Sequence, residues 1–212
     1  GIFSIEEIEF NADVGGTKIA NFTIQEFDNI VEVPANLLID SSGGNIDILN
    51  FFATGVLFSS IDWSGWTFQN WDDTLDEINI NLGGAITSFT STQERDNITG
   101  SAASEDINSG ADNDTVNAGA GDDTVKAEAG NDSVDGGTGN DSIEGGAGND
   151  TINTGSDGQD TLEGGSGNDR LIKGGFLTFG ANDSFNGGTG VDTIVSTVGW
   201  AGGVLFDLAA GN

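Results

Sequence analysis

"GGTGNDSIEGGAGNDTIN" runs from Gly136 to Asn153, and its two halves are almost the same nine residues. Each half opens on glycines, passes through Asn-Asp, and closes on one apolar residue between polar neighbours. Glycine permits positive φ and close approach of backbones, so the opening of each unit reads as a tight turn. The closing triplets, Ser142-Ile143-Glu144 and Thr151-Ile152-Asn153, read as very short strands whose middle side chain points inward.

The period of nine extends in both directions. "STQERDNIT", "GSAASEDIN", "SGADNDTVN", "AGAGDDTVK" and "AEAGNDSVD" lead up to the quoted pair without a gap. A ten-residue unit, "TGSDGQDTLE", follows it, then "GGSGNDRLI", a fourteen-residue unit "KGGFLTFGANDSFN", and "GGTGVDTIV". Residues 91–195 are therefore one array. The inward position is apolar in every unit: Ile98, Ile107, Val116, Val125, Val134, Ile143, Ile152, Leu162, Leu171, Phe185 and Ile194. The residue two before it is acidic in every unit.

One buried Val or Ile per unit returns less free energy than ordering nine residues costs in backbone entropy. Stacking the units also brings their carboxylates together. The array needs something that neutralises charge and crosslinks loops. A hard cation does both, and Ca²⁺ takes six to eight oxygens from carboxylates and backbone carbonyls. Two units make an eighteen-residue coil, so alternate units share a side. One side carries Asp96, Asp114, Asp132, Asp150, Asp169 and Asp192; the other carries Glu105, Asp123, Asp141, Asp160 and Asp183. One ion per stacked pair, setting aside the pairs made by the first loop on each side, which lacks the glycines, suggests about six to eight ions.

The units "GGTGNDSIE", "GGAGNDTIN", "GGSGNDRLI" and "GGTGVDTIV" resemble the glycine-rich nonapeptide of repeats-in-toxin proteins, the hemolysin-type calcium-binding repeat. The resemblance covers about half the chain. It implies an all-β fold, a right-handed parallel β-roll or β-solenoid with calcium in its glycine-rich turns. It also implies export by a type I system and folding outside the cell. The motif's ligands carry over onto Asp114, Asp123, Asp132, Asp141, Asp150, Asp160, Asp169, Asp183 and Asp192, with the turn glycines Gly137, Gly139, Gly146, Gly148, Gly165 and Gly167. Asp96, Glu105, Asp112, Asp122 and Asp157 form a secondary set. Departures lie at the ends: Glu105 replaces Asp, the "STQERD" and "GSAASE" loops lack the glycines, and an insertion precedes Asp183.

Bulk composition agrees. There are 35 acidic and 5 basic residues, a formal charge of -30, which excludes the basic footprint of a nucleic-acid binder. No apolar run approaches the roughly 20 residues of a membrane-spanning helix. The chain has neither Cys nor His. That removes disulfides, a Ser-His-Asp triad, a Cys nucleophile and a His-Glu-x-x-His zinc site. No catalytic residue is assigned, and the chain is not expected to be an enzyme. The absence of Met and the end at "FDLAAGN" read as a segment of a longer polypeptide.

Nine of the 13 Phe and three of the four Trp precede residue 91. Residues 1–90 read as calcium-poor, aromatic-cored coils of a continuing β-solenoid, with a separate small β domain as the rival. "EININ" (Glu77 to Asn81) alternates strictly, as a strand should. Counting back in nines places Phe89 and Ile80 inward. Residues 196–212 read as a closing strand, a cap, or the start of a further segment. Asn113, Asn131, Asn140, Asn149 and Asn182 match a glycosylation sequon, read as a by-product of the repeat.

The leading expectation is a calcium-dependent structural segment of a large secreted or cell-surface bacterial protein, of adhesin, surface-layer or extracellular-fibre type. The alternatives are a non-catalytic calcium-folding module of a type I-secreted enzyme or toxin, and a glycan-binding module using Trp63, Trp66 and Trp71. Calcium is the implied partner, with self-assembly or cell-surface glycans as further candidates.

Overall fold

A computed structural model describes residues 78–84, 86–174 and 183–196 in full. It describes the backbone alone for residue 77 and for the strands Glu7–Ile8, Asp13–Val14, Thr17–Ile24, Leu38–Asp40, Ile46–Ala53, Ser60–Asp62, Thr67–Gln69 and Leu205–Asp207. Every regular element among the described residues is a strand. Among the described residues there is no helix, hence none long and apolar enough to cross a membrane.

The chain is a parallel β-solenoid with two long walls. The first wall stacks Glu77–Asn81, Asp96–Ser101, Thr115–Gly119, Ser133–Asp135, Thr151–Asn153, Arg170–Lys173 and Thr193–Ser196. The second stacks Ser88–Thr90, Asp106–Asn108, Thr124–Lys126, Ser142–Ala147, Thr161–Ser166 and Ser184–Thr189. Thr17–Ile24 and Ile46–Ala53 continue the first wall in parallel, while Asp13–Val14 adds to it antiparallel. Ser60–Asp62 and Leu205–Asp207 extend the second wall at its two ends. A small parallel sheet holds Glu7–Ile8, Leu38–Asp40 and Thr67–Gln69.

Register follows the repeat. In the first wall Ile80 lies against Ile98, then Val116, Val134 and Ile152. In the second, Phe89 lies against Ile107, then Val125 and Ile143. The ten- and fourteen-residue units do not break either column: Ile152 meets Leu171, Leu171 meets Ile194, Ile143 meets Leu162, and Leu162 meets Phe185. The extra residue of the ten-residue unit is absorbed between the strands ending at Asn153 and starting at Thr161, because a slip of one would turn each apolar side chain to solvent.

Ten of the eleven expected inward residues, Ile98 through Phe185, are buried, as are Ile80 and Phe89. Ile194 is half-buried, since its strand ends the first wall. The strand Glu77–Asn81 alternates as its sequence requires, with Ile78 and Ile80 buried and Asn79 and Asn81 half-buried. The aromatic core expected for residues 1–77, including Trp63, Trp66 and Trp71, lies outside the described side chains.

Candidate metal centre

Between the strands, the loops stack as closely as the walls do. Bridges join Ala111 to Ala129 and Ala129 to Ala147 on one edge, and Ala120 to Thr138 and Thr138 to Asp157 on the other. Such contact requires glycine. Gly148 has a φ of 145°, and a Cβ there would sit 1.5 Å from the Gly130 carbonyl oxygen one coil earlier. At Gly146 the corresponding contact, with the Glu128 carbonyl oxygen, is 1.9 Å. The six glycines singled out from the sequence all have positive φ, from 95° at Gly137 to 145° at Gly148. Each loop thus directs carbonyl oxygens at the backbone of the next.

The acidic residues at position six form the two rows that the spacing requires. In the first row the backbone N–H of Asp96 donates to Asp114 Oδ1, that of Asp114 to Asp132, that of Asp132 to Asp150, that of Asp150 to Asp169 and that of Asp169 to Asp192, at 2.8–3.0 Å. In the second row Glu105 donates to Asp123, Asp123 to Asp141, Asp141 to Asp160 and Asp160 to Asp183, at 2.8–3.1 Å. One oxygen of each receiving carboxylate is thereby committed to the neighbouring coil.

The other oxygen has no such partner. The Oδ2 atoms of Asp114, Asp123, Asp132, Asp141, Asp150, Asp160 and Asp169 are buried with no hydrogen-bond donor, as are Asp96 Oδ1 and Glu105 Oε2. Buried polar atoms in native proteins are almost always satisfied. Burial is also the main reason these carboxyls resist ionisation. It pushes Asp114 up to about 9, with Asp96 adding repulsion, and Asp132 and Asp160 to about 7. Asp141 rises to about 6, and Asp123, Asp150 and Asp169 shift in the same direction for the same reason.

Orphaned carboxylate oxygens in two rows, flanked by glycine carbonyls, are an all-oxygen donor set. That suits a hard, large cation, and Ca²⁺ tolerates the irregular geometry that Mg²⁺ does not. Among the described residues no three acidic groups converge on one point. A site here would take carboxylates from successive coils and complete its shell with carbonyls. The position-one glycines keep the orphaned oxygens accessible: a Cβ at Gly136, Gly145 or Gly164 would lie 2.4–2.6 Å from Oδ2 of Asp141, Asp150 or Asp169.

Asp96 and Glu105 head the two rows but have one oxygen met by a hydroxyl, and the other candidates lie outside the rows. Asp96 Oδ2 accepts from the hydroxyls of Ser91 (2.5 Å) and Thr92 (3.0 Å) and from the Thr92 N–H. Burial still raises Asp96 to about 7. Glu105 Oε1 accepts from the Ser101 hydroxyl. Asp112, Asp122 and Asp157 are not brought into either row. Asp112, with a φ of 74°, accepts from Asn113; Asp122 is exposed and accepts from Asn140; Asp157 is exposed and accepts from Ser156.

The sequence reasoning missed what position five does. The Oδ1 atoms of Asn113, Asn131, Asn149 and Asn168 accept the N–H groups of Asn131, Asn149, Asn168 and Val191 in turn, at 2.7–2.9 Å. The recurring Asn before Asp was the signal. It is an outer ladder that runs beside the inner carboxylate row. Asn182 lies outside the described residues.

Four copies of the RTX calcium-binding nonapeptide repeat match the chain, at residues 99–134, 127–157, 154–172 and 178–199. No curated protein and no solved structure matches it. Repeats of this family bind calcium, and proteins that carry them are typically secreted by bacteria.

Proposed function

We propose that the chain is a calcium-dependent structural segment of a large secreted or cell-surface bacterial protein, of adhesin, surface-layer or extracellular-fibre type, without catalytic residues of its own. The observation that carries this reading is the double row of buried carboxylate oxygens without donors. Calcium bound between coils would supply the charge neutralisation and the oxygen crosslinks that the protein itself lacks there.

The protein's own residues do the rest. Position-six N–H groups hold one oxygen of the next carboxylate, so the second is aimed and rigid. Position-two and position-four glycines bring coils to carbonyl contact. The inward Val, Ile, Leu and Phe columns hold the two walls in register. Because metal binding requires an ordered site with ionised ligands, binding free energy becomes folding free energy. With this arrangement the repeat array stays unfolded at low calcium and folds where calcium is abundant.

A calcium titration from a chelated start, followed by far-ultraviolet circular dichroism with magnesium as control, tests this. The expected result is a cooperative gain of β-structure specific to calcium. A chain with its full β signal in chelator, unchanged on adding calcium, would overturn the reading.

A further inference from the structure

Among the position-six carboxylates that are fully buried, Asp183 alone has no orphaned oxygen. Its Oδ2 lies 2.7 Å from Lys173 Nζ, and the same ammonium is 3.9 Å from Asp160 Oδ2. Lys173 is itself buried, at 3 % exposure, which is rare for a lysine. It therefore sits between the last two carboxylates of the second row, where a cation between coils would lie.

The repeat explains how it reaches that place. Backbone bonding puts Gly136, Thr154 and Lys173 in one column: the Gly136 N–H donates to the Asn153 carbonyl, the Thr154 N–H donates to the Ile172 carbonyl, and the Gly174 N–H donates to Thr154 Oγ1. Lys173 is thus the first residue of its unit. At the first position of other units, a Cβ on Gly136, Gly145, Gly164 or Gly187 would point at the Oδ2 of its own unit's aspartate, 2.4–2.6 Å away. Any side chain there grows toward the orphaned oxygen. Glycine leaves the oxygen open, whereas lysine carries a cation to it.

We infer that Lys173 is a built-in counterion that takes the place of calcium between Asp160 and Asp183, so that the second carboxylate row ends on an ammonium group of the chain itself. This rests on the reading of the other position-six carboxylates as calcium ligands. An ammonium at 2.7 Å and a divalent ion bound to the same Oδ2 at about 2.3–2.6 Å exclude each other by size and by charge. The buried ammonium is held because two carboxylates surround it. Asp160 and Asp183 are then joined across neighbouring coils without metal.

Calcium counting on the whole chain tests the assignment. Equilibrium dialysis against ⁴⁵Ca would compare wild type with Lys173→Gly, Asp183→Asn and Asp141→Asn. The expected result is one additional ion for Lys173→Gly, an unchanged count for Asp183→Asn, and a loss of at least one for Asp141→Asn. An ion lost in Asp183→Asn, or none gained in a Lys173→Gly protein with the wild-type circular dichroism spectrum, overturns the proposal. Should Lys173→Gly not fold, the Asp183→Asn count decides alone. Wild type that binds no calcium would instead remove the broader reading, and this one with it.

Discussion

The coil at residues 78–95 and the coils that follow it share one backbone path but are held together differently. The first buries Ile78, Ile80, Leu82, Ile86 and Phe89, all large. The coil at 132–149 buries only Val134 and Ile143 among apolar side chains, together with Asp132 and Asp141. In the first coil the hydrophobic effect supplies cohesion, and its neighbour Asp96 is met by the hydroxyls of Ser91 and Thr92. In the coil at 132–149 the apolar columns are one residue wide per wall, and the buried carboxylates oppose folding until something binds them. The lesson is that one solenoid can pass from a core made of side chains to a core made of ligands without changing its register.

The largest expected effect separates the two regions directly. In chelator, amide hydrogen exchange at residues 114–169 should accelerate at least about 100-fold relative to the calcium-bound protein, the equivalent of about 2.7 kcal/mol from a ligand at 100 times its Kd. Amides at 78–90 should lose less, because their burial does not depend on the metal. Equal acceleration in both regions would break the comparison.

The second effect concerns pH. Without calcium, the folded-state pKa values of Asp114 (about 9), Asp132 and Asp160 (about 7) and Asp141 (about 6) lie above the ordinary carboxylate value. A raised pKa means the folded state holds protons that the unfolded state releases. Stability of the metal-free array is therefore greatest below about pH 4 and falls as pH rises through about 6 to 9. With calcium the dependence reverses, because acid protonates the ligands and releases the ion. Far-ultraviolet circular dichroism across this range should show β-structure rising toward acid in chelator and toward neutral pH in calcium; the same trend in both would show that the buried carboxylates are not the ligands.

Two glycine substitutions probe single loops rather than the whole array. Gly148→Ala forces a side chain into positive φ and onto the Gly130 carbonyl, which should cost about 2–6 kcal/mol as backbone strain and overpacking combine. Gly84→Ala meets only Ser101 Oγ at 3.9 Å, so it should be neutral or stabilise by up to about 1 kcal/mol. Chemical denaturation in saturating calcium would compare them. Similar losses at both positions would mean that loop stacking is no tighter in the array than beside it.

Much of this was legible from spacing. The inward columns from Ile98 to Phe185 and the two acidic rows follow from a period of nine and a strand's alternation, and both stand in the structure. Asp112, Asp122 and Asp157 stood apart in the sequence as a secondary set, off the position-six rows, and in the structure their partners are Asn113, Asn140 and Ser156. The Asn ladder was visible as a pattern but had no meaning until coils were stacked. Lys173 stood in the sequence only as the first residue of the fourteen-residue unit.

The chain's own sequence determined the parallel solenoid, its eighteen-residue coil, the identity of its core and the all-oxygen character of its sites, because each depends on residue type and period alone. Only the tertiary structure decided which oxygen of each carboxylate is left open, which carboxylates are already met by hydroxyls, and where an ammonium group stands between two of them. Those outcomes depend on donors brought from neighbouring loops and coils, and a hydrogen bond or ion pair is settled by fractions of an ångström that linear spacing does not specify.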